Sequence, residues 1–274
     1  MVRFLKMHGL GNDFAVFDAR KQALAIDAPL ARALADRRRG IGCDQVIVIE
    51  RSQSADAAMR IRNADGGEVE SCGNAARCVA RLLMEETDRD SVHLETLGGP
   101  LFCTDAGGDL VTVDMGRPEF AWEKIPLAEA VDTGNFPLDV DDVSYRATAV
   151  SMGNPHCVLF VEDAEAAPVT VHGPRIETMP LFPNRTNVEF VTVRDQNHLR
   201  MRVWERGAGV TLACGTGACA SAAAAHQRGL SGPKVKVQLD GGTLTLELRD
   251  GHALMTGPAA LVYHGDIDFA VFDA

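Results

Sequence analysis

The chain repeats itself. Cys72-Gly73-Asn74-Ala75-Ala76 and Cys214-Gly215-Thr216-Gly217-Ala218 open alike, and their cysteines are 214 − 72 = 142 positions apart. The same offset carries Gly11-Asn12 onto Gly153-Asn154, Gln45-Val46 onto Asn187-Val188, Arg60 onto Arg202, Asn63 onto Glu205 and Gly67 onto Gly209. These landmarks stay in step without an insertion, so the chain reads as two copies of one folding unit, each with a thiol at a helix start. Two copies facing each other place two thiols on opposite sides of a shared cleft. That arrangement suits removal of a proton from one face of a carbon and delivery of a proton to the other.

At 274 residues there is enough chain for two domains with separate cores. In the first copy, residues 14–18, 46–50, 58–62, 92–96 and 111–115 are strand-like and bounded by Gly, Asn or Asp; residues 30–38 and 74–86 have helical spacing. The second copy predicts strands at 157–161, 188–193, 201–205, 235–239 and 244–248, and a helix at 216–227. The run Ala218-Cys219-Ala220-Ser221-Ala222-Ala223-Ala224-Ala225 is small on every side. A helix without a polar face is buried all round, which places it inside a curved sheet. Residues 116–145, with Pro118, Pro126, Pro137 and the acidic run from Asp139 to Asp142, read as the connection between units. The last six residues, 269–274, copy residues 14–19 letter for letter and suggest a final strand returning to the first domain. The expected fold is therefore α/β (α+β): two pseudo-symmetric domains, each a curved mixed or antiparallel sheet around a central helix, with the active site in the cleft between them. The expected boundaries are 1–116, completed by 262–274, and 117–261.

Formal charge is 27 − 38 = −11, which argues against nucleic acid or an anionic membrane as partner. The basic cluster Arg37-Arg38-Arg39 reads as a helix C-terminus compensating the helix dipole. No apolar run approaches the roughly 20 residues that span a bilayer, and the N-terminus reads as a strand rather than a signal peptide. Seven cysteines, an odd number, point to reduced thiols and a cytoplasmic location.

A thiol at a helix N-terminus is expected to ionise more readily, because unpaired N–H groups and the helix dipole favour negative charge. Gly73 and Gly215 allow close approach to the backbone, and the N–H groups of Gly73, Asn74, Gly215 and Thr216 would grip a carboxylate. Two thiols in one cleft cannot both ionise easily, so one serves as base and the other as acid. A zinc site lacks its spacing and its histidines. A phosphate loop lacks its lysine. The lysines, Lys6, Lys21, Lys124, Lys234 and Lys236, stand outside the motifs, so a pyridoxal cofactor is not expected. Cys78 and Cys219 read as core, and a Cys72–Cys214 disulfide as oxidative damage.

The phrases Gly9-Leu10-Gly11-Asn12-Asp13-Phe14, Asn63-Ala64-Asp65-Gly66, Cys72-Gly73-Asn74, Gly153-Asn154-Pro155-His156, Trp204-Glu205-Arg206-Gly207-Ala208-Gly209 and Ala213-Cys214-Gly215-Thr216-Gly217-Ala218-Cys219 closely resemble the diaminopimelate epimerase family, in order along the whole chain. The resemblance implies a cofactor-independent isomerase that interconverts LL- and meso-2,6-diaminopimelate in lysine and peptidoglycan precursor synthesis, with no metal. It implies Cys72 and Cys214 as acid and base, His156 and Glu205 supporting them, and Glu205 also facing the substrate ammonium. Asn12, Gln45, Asn63, Asn154, Asn187 and Arg206 would read the distal end of the substrate, where a second carboxylate calls for a planar guanidinium. Many family members are homodimers. Three positions depart from the family pattern: Cys43 before Asp44-Gln45, Ala75 after Cys-Gly-Asn, and Thr216 in place of Ser.

A proline-type or other two-thiol racemase is the alternative within this chemistry, but Arg206 and the amides suit a substrate with a polar far end. An isomerase of the phenazine-biosynthesis kind is disfavoured because both thiols are kept. A thiol redox protein would need a C-x-x-C motif.

Overall fold

The computed structural model describes residues 1–272. Its backbone contacts separate two compact units: Met1–Val113 together with the chain from Gly257 onward, and Asp114–Thr256.

The first unit begins with a hairpin, β1 (Val2–Gly9) and β2 (Asn12–Asp18), closed by Leu10 and Gly11. Both turn residues have positive φ, 55° and 85°, the backbone a two-residue turn needs to match strand twist. Helix α1 (Ala28–Ala35) follows, its N-terminus capped by Asp27, whose side chain accepts from the N–H of Leu30. Next come β3 (Gln45–Glu50), parallel to β2, then antiparallel β4 (Ala57–Asn63) and the short β5 (Glu68–Val69). Helix α2 (Gly73–Thr87) precedes β6 (Ser91–Thr96), β7 (Gly99–Asp105) and β8 (Leu110–Asp114). Phe4, Phe17, Leu34, Val46 and Val48 form a core with α1, while α2 buries Ala76, Val79, Ala80 and Leu83.

The second unit repeats this plan with an added leading strand. β9 (Phe136–Val140) pairs with β10 (Val143–Ser151), which turns into β11 (Pro155–Phe160). Helix α3 (Val169–Glu177) leads to β12 (Asn187–Asp195), parallel to β11, then β13 (His198–Glu205) and β14 (Gly209–Val210). Helix α4 (Gly215–Gln227) is followed by β15 (Lys234–Leu239), β16 (Gly242–Arg249) and β17 (His252–Pro258). Register repeats along with order: Phe14 faces Gln45 across the first parallel pair, and His156 faces Asn187 across the second, with 156 − 14 = 187 − 45 = 142. Helix α4 packs against β10, β11, β12, β13, β15 and β16, and every residue from Gly217 to Ala225 is buried. Side chains this small let the sheet close on the helix from several directions.

Three sequence expectations change. Residues 116–145, counted with the second domain from 117 but read as a connecting segment, are built into the second unit: Ile125, Leu127, Phe136, Leu138 and Val140 lie in its core. Helix α3 was not expected, because Gly173 and Pro174 interrupt its helical pattern. The strand returning to the first unit is β18 (Ala260–Ile267), antiparallel to β1, whereas Phe269–Phe272 forms a 3-10 turn with Phe269 against the ring of Phe17. Asp273 and Ala274, the end of the copied hexapeptide, lie outside the described residues.

Candidate active site

In the first unit the β1–β2 turn delivers Asn12 beside the start of α2. Asn12 donates from Nδ2 to Asp44 at 3.0 Å, which leaves its Oδ1 to accept from Asn74 Nδ2 at 3.1 Å and from the Cys72 thiol at 3.9 Å. Cys72 is the N-cap of α2, with extended backbone at φ −146°, ψ 111°. The first helical bond runs from Ala76 N–H to Cys72 C=O, so the preceding N–H groups line the positive end of the helix. Asn74 is fixed underneath by the fully buried Arg77, which donates to Asn74 Oδ1 at 2.9 Å and to the carbonyl of Pro258 at 3.2 Å. Gln45 and Asn63 are neighbours across β3 and β4, bonded Nε2 to Oδ1 at 2.9 Å. The buried Oε1 of Gln45 lacks a hydrogen-bond partner among the described residues.

Arg37 does not serve the C-terminus of α1. The helix ends at Ala35, and Arg37 reaches Asp13 at 2.8 Å and Asp44 at 2.7 Å, with Lys6 on the other side of Asp13 at 2.5 Å. Burial alone would push the Asp13 carboxyl up, but hydrogen bonds from Arg37 and Lys6 hold it down at about 2. This charged frame carries Asp44, and Asp44 orients Asn12.

In the second unit Cys214 is the N-cap of α4, at φ −112°, ψ 106°, and its sulfur accepts the N–H of Gly217 at 3.3 Å. Thr216 Oγ1 lies 3.6 Å from the sulfur and 3.4 Å from Asn154 Nδ2. Asn154 Oδ1 meets His156 Nε2 at 3.0 Å, and His156 Nδ1 meets Glu189 Oε1 at 2.6 Å. Asn187 bridges strands by donating to Pro155 C=O at 2.9 Å and accepting the N–H of Arg206 at 2.9 Å. The Arg206 guanidinium is exposed, with one contact to Asn184 C=O at 3.3 Å. Glu205 accepts from the Thr211 hydroxyl, and burial pushes its carboxyl up.

The residues expected from the sequence therefore collect into two groups. One holds Asn12, Gln45, Asn63, Cys72, Gly73 and Asn74; the other holds Asn154, His156, Asn187, Glu205, Arg206, Cys214, Gly215 and Thr216. Two findings run against expectation. The Cys214 thiol is pushed well above its ordinary range by burial first, then by Glu205 and Glu189; desolvation and two carboxylates outweigh the helix N-terminus, so the resting thiol keeps its proton. The other is Glu189, fully buried against His156, which the duplication pattern concealed because Ile47 stands at the matching position, 189 − 142 = 47. A charged residue inside the otherwise apolar run Val188–Val191 was the available signal.

The duplicated plan is an α/β fold that solved structures share. A hydroxyproline epimerase from Agrobacterium vitis shares it at TM-score 0.69 and 19% identity, over 96% of this chain and 91% of that one. A phenazine biosynthesis protein from Bacillus anthracis does so at TM-score 0.67 and 14% identity, over 97% and 98%. Sequence is more specific than fold. A profile of diaminopimelate epimerase matches residues 4–121 and 148–262. The diaminopimelate epimerase of Erythrobacter litoralis is 54% identical over 98% of both chains, and that of Acidiphilium cryptum is 51% identical over 98% of this chain and 97% of its own. The chain belongs to the diaminopimelate epimerase family, and it is an isomerase.

Proposed function

We propose that this protein interconverts LL- and meso-2,6-diaminopimelate without a cofactor, Cys72 and Cys214 exchanging protons with one α-carbon. The observation that carries the reading is the pair of thiols at matched N-caps, on α2 and α4, in a chain of this family. Each thiol sits beside backbone N–H groups suited to the α-carboxylate, whose charge must be stabilised as the proton leaves. Burial favours the protonated form of Cys214, and one protonated thiol is what inversion requires, the two thiols exchanging roles with the direction of reaction. Asn12, Gln45, Asn63, Asn154, Asn187 and Arg206 would recognise the distal ammonium and carboxylate, with Glu205 near the ammonium. Both sulfurs must address a single carbon for this chemistry to run.

No helix is long and apolar enough to cross a membrane; the odd count of seven cysteines suits a reducing compartment, and the reading places the enzyme in the cytoplasm. A homodimer is part of the proposal. Leu261, Val262 and Tyr263 follow one another along β18 and are all about half exposed, although consecutive strand residues point to opposite faces.

The test is to incubate LL-diaminopimelate with the protein in D₂O, with L-proline as a control substrate. Meso product carrying deuterium at the inverted carbon is expected, with no turnover of proline. Product without label rules out exchange through separate thiols, and turnover of proline in preference shifts the substrate class.

A further inference from the structure

The duplication contains a controlled comparison. In the first unit, β2 and β3 place Phe14 and Ile47 at the positions that His156 and Glu189 hold in the second, 156 − 142 = 14 and 189 − 142 = 47. All four side chains are buried to 0% exposure. The fold thus accepts an aromatic–aliphatic pair at this place, and an apolar pair carries no desolvation cost. Replacing a buried ionisable pair by apolar residues is commonly neutral or stabilising, so the His–Glu pair of the second unit needs a reason other than stability.

Its hydrogen bonds supply one. His156 Nε2 lies 3.0 Å from Asn154 Oδ1, and an amide oxygen only accepts, so with the amide placed this way Nε2 carries hydrogen. In this arrangement the other end of the Asn154 amide, Nδ2, faces Thr216 Oγ1 at 3.4 Å. Along the other axis, Nδ1 and Glu189 Oε1 are 2.6 Å apart and share a proton. Whether that proton sits on the ring or on the carboxyl, Nε2 remains a donor. The second carboxyl oxygen of Glu189, Oε2, lacks a hydrogen-bond partner among the described residues, so the carboxyl does little besides holding the ring. It also borders the catalytic turn: a Cβ on Gly217 would stand 2.8 Å from Glu189 Oε1 and 3.1 Å from Cys214 Sγ. The titratable groups around Glu189 are His156, Cys157, Glu205 and Cys214.

We infer that Glu189 is a positioning residue of the acid–base step: it fixes the His156 ring so that Nε2 always presents hydrogen toward Asn154. A histidine held this way acts as a hydrogen-bond donor and not as a base through Nε2. It adds positive potential where the proton-transfer chemistry develops negative charge. The kinetic consequence rests on the epimerase reading; the state of the ring does not.

The test has three arms. In protein labelled with ¹⁵N-histidine, the Nε2 resonance of His156, assigned by its absence from His156→Phe/Glu189→Ile, is expected at the shift of a protonated ring nitrogen. An Nε2 at the shift of an unprotonated nitrogen overturns the inference, whatever the activity. In Glu189→Leu, kcat is expected to fall at least about tenfold with KM within about twofold, and Glu189→Asp to recover part of the loss; an unchanged kcat, or a loss confined to KM, overturns it. The His156→Phe/Glu189→Ile protein, which copies the first unit, is expected to melt no lower than the wild type while losing turnover. A clearly lower Tm would return the pair to a structural role and overturn the inference. If the wild type shows the expected ring state yet does not epimerise diaminopimelate, the functional reading fails while the hydrogen-bond assignment stands.

Discussion

The N–H of Gly217 points at the sulfur of Cys214 across 3.3 Å, closing the first turn of α4 on its own N-cap side chain. Cys72, at the matching place on α2, makes no side-chain cap bond and instead meets Asn12. The two thiols are related by duplication but are held differently. One is buried, protonated and bonded to its helix; the other is partly exposed and touches an amide.

On the proposed two-thiol reading, replacing either thiol by alanine should abolish epimerisation, since inversion then needs a proton transfer from each. Cys214→Ala should also lose a weak cap, on the order of 0.5 kcal/mol, whereas Cys72→Ala should melt near the wild type. Ligand binding should survive in both. Turnover above a few per cent in either variant, measured by loss of the α-proton signal in D₂O, would refute the assignment.

Stability should fall steeply in alkali. Burial pushes the thiols of Cys43 up to about 11 and of Cys78 and Cys103 up to about 12, and holds Cys157 and Cys214 well above the ordinary range. The folded state keeps these protons where the unfolded chain sheds them. The contribution is therefore complete below the ordinary thiol value and is lost as pH rises past it, by about 1.4 kcal/mol per thiol per pH unit. Thermal melts between pH 8 and 11 should show a falling Tm, with a shallower slope in Cys43→Ala. A Tm that stays level to pH 10.5 would contradict the burial of these groups.

How much of this could be read beforehand differs from element to element. The offset that related the cysteines also relates α1 to α3, since 28 + 142 = 170 and 35 + 142 = 177 fall within Val169–Glu177. Local pattern concealed α3, because Gly173 and Pro174 are poor helix formers. The structure shows why the glycine is there: a Cβ at Gly173 would lie 2.6 Å from the Trp204 side chain. Trp204 itself donates to Glu177 at 2.7 Å. Tertiary packing overrode propensity. The helices that carry the thiols were legible for different reasons: α4 because its burial is written in composition, small residues without a polar face, and α2 because its apolar positions recur at helical spacing. Glu189 was not, because periodicity reports which side of a strand is buried and says nothing about a buried residue chosen for its charge. The direction of the Cys214 shift was also hidden, since the helix end is local whereas Glu189 and Glu205 come from β12 and β13.

Arg206 should matter for binding more than for chemistry. Its backbone N–H is tied to Asn187, but its guanidinium is exposed and bonded only weakly to a carbonyl among the described residues, leaving the planar fork available to a carboxylate. Arg206→Ala should raise KM for diaminopimelate by roughly thirtyfold, about 2 kcal/mol, with kcat changed by less than about threefold. Arg206→Lys should recover charge but not the fork, and fall between the two. An unchanged KM in the alanine variant would remove Arg206 from the site.

Gly217→Ala sets two local effects against each other. Alanine is the better helix former by about 1 kcal/mol, and the backbone φ of Gly217 is not in the left-handed region, so on propensity alone α4 would gain stability. The added methyl, however, meets Glu189 Oε1 at 2.8 Å, Cys214 Sγ at 3.1 Å and Cys214 Cβ at 3.3 Å. Neither neighbour is the loose end of a solvated side chain: both are buried, and Glu189 is tied to His156. The carboxyl and the sulfur must therefore shift by a few tenths of an ångström, lengthening the contacts that hold His156 and the thiol. The expected result is a Tm within about 3 °C of the wild type with kcat lowered by at least about tenfold, because displacement at a reacting group costs far more in rate than in folding energy. Steady-state kinetics and a melting curve on the same preparation decide it. A variant that is more stable and fully active would show that the turn beneath Cys214 yields freely, and that its close packing plays no part in placing the thiol.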